Sequence, residues 1–67
     1  MIYNITLYGS PASQKQAILL LENLPQIRRI DAVNASGALR LMTDSVIGEK
    51  SLIPLFAESG ISGFRLE

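Results

Sequence analysis

The chain has no Cys, no His and no Trp. Without thiols there is no thiol exchange and no thiolate ligand for a soft metal ion. Without imidazole there is no His-based acid/base step and no His metal ligand, and a serine nucleophile would lack its usual base. Aromatic residues make up only 6% of the chain, so its core has to be built from Ile, Leu, Val and Ala. Neither sign of charge is in excess. Six basic and six acidic side chains cancel, and they do so locally: Arg28 and Arg29 against Asp31, Lys50 against Glu49, Arg65 against Glu67. No basic stripe offers a row of phosphate contacts, and nucleic acid is not an expected partner.

Long hydrophobic runs are missing too. Ala17-Ile18-Leu19-Leu20-Leu21 falls far short of the ~20 apolar residues that span a bilayer. Direct membrane insertion is not expected. The start, Met1-Ile2-Tyr3-Asn4, carries no charged region or cleavage pattern of a secretory signal, so the expected location is cytoplasmic.

What is present is 67 residues that are 48% hydrophobic, read as a single domain over 1–67. A chain this short buries only about 60% of its unfolded surface, and domains of this size often recruit a disulfide or a structural metal. Both staples are ruled out by composition. Stability has to come from a well-patterned apolar core, extended by self-association.

Ile2 to Tyr8 reads as a strand, with Tyr3, Ile5 and Leu7 on its buried face. Gly9 to Ser13 breaks that strand and opens a helix, with Ser10 as its cap and Pro11 in the first position. The helix runs to about Leu24 and stops before Pro25, burying a stripe of Ala17, Leu20, Leu21 and Leu24 widened by Ile18. Ile27 to Val33 and Ala38 to Met42 read as a hairpin around Asn34-Ala35-Ser36-Gly37. Ile30 and Ala32 point inward on its first strand, Leu39 and Leu41 on its second, with Arg40 opposite them. After a connection, Ser51 is the expected cap of a second helix with Pro54 in its first turn. Leu52, Leu55, Phe56 and Ser59 share one face, and Gly60 is the stop. Gly63 to Leu66 is a last short strand. The order β-α-β-β-α-β defines an α+β fold, the ferredoxin-like sandwich, with an antiparallel sheet and two helices on one face.

Several steps of the chain resemble the heavy-metal-associated domain, the module of copper chaperones and metal ATPases. Leu7-Tyr8-Gly9 resembles the end of that family's first strand, and Leu24-Pro25-Gln26-Ile27 its Leu-Pro-Gly-Val step with Gln26 for Gly. Leu52 to Ile61 resembles its last helix and Gly-Tyr ending, with Ile61 for Tyr. The resemblance implies the fold. The family's Cys-x-x-Cys would fall on Ala12 and Lys15 counting from Gly9, or on Ser10 and Ser13 counting back from Leu24-Pro25. Neither register supplies a thiolate, and a thiolate-bound metal is not expected. A second resemblance is to glutaredoxin-like redoxins, through Ile5-Thr6-Leu7-Tyr8 with Pro11 and Ser13, and through Ser62-Gly63-Phe64-Arg65. It would make Ile53-Pro54-Leu55-Phe56 a cis-proline strand and put the redox positions on Ser13 and Gln16.

Three functions are left standing. The first is a non-catalytic protein-interaction or regulatory module, which binds a protein partner or a second copy through Tyr8, Arg28, Arg29 and Phe64. The second is a degenerate redoxin without redox activity. The third is a small-ligand or anion sensor using Gly9, Ser10, Ser13 and Lys15, where the plainer roles are helix capping and a solvated lysine. No cofactor, catalytic residue or metal ligand is expected. Met1 and Met42, the soft ligands present, do not make a site.

Overall fold

The computed structural model describes residues 1–33 and 37–67. Among these residues six elements follow in order: β1 (Ile2–Tyr8), α1 (Pro11–Glu22), β2 (Ile27–Ala32), β3 (Ala38–Thr43), α2 (Glu49–Ser59) and β4 (Gly63–Leu66). The strands form one sheet in the order β2-β3-β1-β4, and every neighbouring pair is antiparallel. The helices pack on each other over one sheet face, giving the ferredoxin-like sandwich.

Strand alternation decides which face is covered. Ile5 and Leu7 of β1 and Leu39 and Leu41 of β3 are buried, and they meet Ala17 and Leu21 of α1 and Leu52 and Phe56 of α2. Each such large side chain contributes about 1.5–3 kcal/mol on burial. Ile47, in the connection before α2, joins this core at 5% exposure. Its N–H donates to the Tyr3 hydroxyl at 3.3 Å, which fixes the connection against β1.

The helix ends differ from the sequence reading. α1 stops at Glu22 with Asn23 as C-cap. Leu24 lies one step outside, its N–H donating to the Leu21 carbonyl at 3.0 Å. α2 begins at Glu49 rather than at Ser51, with extended Gly48 as N-cap and no side-chain capping bond. Glu49 in the first turn complements the positive end of the helix dipole, a start signal that does not require a capping side chain. Pro54 therefore lies inside the helix, not in its first turn. The proline removes the N–H that would meet the Lys50 carbonyl, and Lys50 is exposed, so water can satisfy that oxygen. The stop at Gly60 is as expected, with φ +82°.

The hairpin is irregular. β2 ends at Ala32, and a bulge between Ile27 and Arg29 shifts its register against β3. Ala32 faces the same way as Ile30 but is exposed, because it ends an edge strand. The turn residues Asn34, Ala35 and Ser36 lie outside the described residues. Gly37 follows at φ +92°, where a Cβ would stand 2.4 Å from the Leu7 carbonyl oxygen.

The redoxin reading is overturned by α2. Ile53 to Phe56 is helical, and the β4 strand that follows is antiparallel to β1. A redoxin requires an extended segment at that place.

Candidate functional site

Gly9 and Ser10 end β1 and open α1. Gly9 adopts φ +142°, and a Cβ there would come within 3.1 Å of the Ile61 Cα, so the loop lies tight against the end of α2. The Ser10 Oγ accepts from the Ser13 N–H at 3.2 Å and donates to the Ser13 Oγ at 2.9 Å. Both hydroxyls are thus engaged with each other and with the helix start. Gln14, one residue on, has a role the sequence reading did not assign. Its Nε2 donates to the carbonyls of Leu7 at 3.3 Å and Gly9 at 3.2 Å. Only the tertiary structure brings that amide onto the strand end, so no sequence signal marks it. Lys15 is exposed on α1, as is Ala12, the pair demanded by the other register. Among the described residues no cavity opens here or elsewhere.

The other sheet face carries a different set of residues. Register places Arg29, Met42 and Ile2 in one row, and Asp31, Arg40 and Asn4 in the next. Thr6 stands between Ala38 and Arg65, and Tyr8 beside Gly63. The Arg29 Nε donates to Asp31 at 2.9 Å, and Arg65 pairs with Glu67 at 3.1 Å. Arg28, expected to balance Asp31, instead pairs with Asp44, and this hydrogen bond raises the pKa of its guanidinium above the usual value. Tyr8 is 48% exposed on this face. Phe64, grouped with Tyr8 in the sequence reading, is on the covered side opposite Leu7, its ring centroid 4.7 Å from that of Phe56. The four partner candidates therefore do not form one patch.

No family model matches the chain, and no curated protein matches it significantly. Two solved structures share its fold. The N-terminal domain of ZntA in its apo form superposes with a TM-score of 0.75 at 16% identity, covering 98% of this chain and 90% of that one. The yeast copper transporter domain Ccc2a, solved in apo and Cu(I)-loaded states, gives a TM-score of 0.67 at 15% identity, again covering 98% and 90%. The fold is that of the heavy-metal-associated domains, here without cysteine. The donors in the loop do not suit a soft ion. Serine hydroxyls are weak oxygen ligands, already engaged, and no cluster of three or more His, Cys, Asp or Glu occurs among the described residues. No helix among the described residues is long and apolar enough to cross a membrane.

Proposed function

We propose that this chain is a non-catalytic protein-contact module on the metal-chaperone fold, which engages a partner protein or a second copy without carrying metal. The observation behind this reading is the Ser10–Ser13 hydrogen bond at 2.9 Å, which in the register counted back from Leu24-Pro25 sets two hydroxyls already bonded to each other where the resemblance calls for a thiolate pair. The surface open to a partner is the uncovered sheet face and its edges. At β2 the edge is broken by the bulge and carries Arg28 and Arg29, features that discourage strand addition. The β4 edge is short but regular. Asn4 and Glu67 exchange both backbone hydrogen bonds, so alternation turns the backbone groups of Leu66 and Phe64 outward. A strand of a second copy added there would extend the sheet.

Sedimentation equilibrium over a concentration series, with and without Cu(I) or Zn(II) under reducing conditions, tests the reading. The expected result is a mass distribution indifferent to either ion, with no bound metal after gel filtration. A Ser10→Cys/Ser13→Cys double variant is the positive control, expected to retain Cu(I) because its thiols replace hydroxyls already in contact. Stoichiometric metal retention or metal-dependent assembly by the parent chain would overturn the proposal.

A further inference from the structure

The basic residues are sorted by layer. All four arginines lie on strands, Arg28 and Arg29 in β2, Arg40 in β3 and Arg65 in β4, while both lysines lie on helices, Lys15 in α1 and Lys50 in α2. Arginine is the cation that interfaces favour, since its planar fork pairs with carboxylates and is only weakly hydrated, whereas lysine suits a solvated surface. On the open face Arg29 and Arg65 are each engaged by a neighbouring carboxylate. Arg40 is exposed on a central strand and makes no ion pair among the described residues. The carboxylate directly across from it, Asp31, is held by Arg29. Along β1 the face ends in apolar groups on both sides of this row: Ile2, 62% exposed beside Met42, and Tyr8, 48% exposed.

We infer that the open sheet face docks an acidic protein segment, with a partner carboxylate on Arg40 and flanking apolar side chains against Ile2–Met42 and Tyr8. The inference rests on the protein-contact reading above and names the surface and the chemistry of its partner. Charge complementarity selects this occupant over a second copy. Two chains stacked about a two-fold axis at the Arg40 row would bring together two guanidiniums that make no ion pair among the described residues, a like-charge contact that opposes association. Self-association through the β4 edge leaves the face free.

The probe is a ten-residue peptide with central glutamates flanked by leucines, titrated into the isotopically labelled chain and followed by backbone amide shifts. Its control has glutamine in place of glutamate. Shifts are expected at Asn4, Thr6, Arg40 and Met42, with affinity about tenfold weaker for the glutamine peptide or for Arg40→Glu. Arg40→Gln, which avoids placing a new carboxylate opposite Asp31, should weaken binding in the same direction, and Arg40→Lys should weaken it less. Amide spectra of the variants alone report whether the fold is kept. Shifts confined to the helices, equal affinity for both peptides, no binding at millimolar peptide, or binding unchanged in Arg40→Glu and Arg40→Gln would each overturn the inference. Those outcomes leave the protein-contact reading intact if assembly stays metal-indifferent. Metal retention by the parent chain defeats that reading whatever the peptide does.

Discussion

The two faces of one sheet obey opposite rules, and β3 shows both in adjacent residues. Leu41 is fully buried under the helices, while Arg40 points into solvent beside Asn4 and Asp31. The covered face is fixed by packing, because the sequence has no cysteine to staple it with a disulfide. The open face has no packing to preserve, so its residues are free to be chosen for a partner. The sharpest test of that contrast has the largest expected effect. Leu41→Ala should cost on the order of 3 kcal/mol through lost burial and the cavity left behind. For a domain of this size that lowers the thermal midpoint by roughly 12–24 °C. Arg40→Ala, one residue away, should change stability by less than about 0.5 kcal/mol. Thermal unfolding by circular dichroism reads both, and similar losses in the two variants would break the comparison.

A second variant probes how closely the covered side is built. Gly37 combines φ +92° with a Leu7 carbonyl only 2.4 Å from where a Cβ would stand, and with the Gln14 side-chain amide at 3.1 Å. Gly37→Ala therefore meets both backbone strain and a collision with backbone. The expected loss is about 2 kcal/mol, within the range for strained non-glycine positions. Urea unfolding checks it through a lower midpoint at unchanged slope. A loss under about 0.5 kcal/mol would mean that the hairpin yields locally and that the covered face is less tightly specified.

Much of this architecture was legible in the sequence because alternation and helical spacing report burial directly. Tyr3-Ile5-Leu7 and Leu39-Leu41 marked the covered face, and Ser10-Pro11 marked the start of α1. Other features depend on distant neighbours and had no local signal. Ile47 carries no pattern signal in the connection before α2, yet it completes the core beneath the Tyr3 hydroxyl. Phe64 reads as surface because a four-residue strand shows too little alternation to assign its faces, and the structure packs it against Phe56 with the rings tilted by 59°. Sequence proximity points Arg28 to Asp31 for a similar reason, but beside the bulge in β2 Arg28 pairs with Asp44. At the candidate site the sequence located Ser10 and Ser13 but not their mutual bond, and Arg40 stood out only once its neighbours' ion pairs were known.

The smaller tests concern the helix layer that makes one face different from the other. Ser10 caps α1 through its bond with the Ser13 N–H at 3.2 Å, so Ser10→Ala should cost about 1 kcal/mol. A loss of that size, measured by thermal unfolding, would assign the loop's hydroxyls to capping without any ligand. An unchanged midpoint would show that Pro11 and the Gln14 amide hold the helix start without the serine.

α2 offers the converse. Its N-cap, Gly48, has extended backbone at φ −86° and ψ 149°, a conformation any residue adopts, and a Cβ there would meet nothing within 4 Å. Serine at this position loses less backbone entropy on folding and brings an oxygen to the unsatisfied N–H groups of the first turn. Gly48→Ser should therefore stabilise the domain by about 0.5 kcal/mol, raising the thermal midpoint by a few degrees. The Ser10 and Gly48 changes lie at the starts of different helices and should add, since neither shares a partner with the other. A Gly48→Ser variant that is less stable than its parent would mean that the glycine serves a contact on the surface before α2. The exposed Val46 nearby would then be the place to look for it.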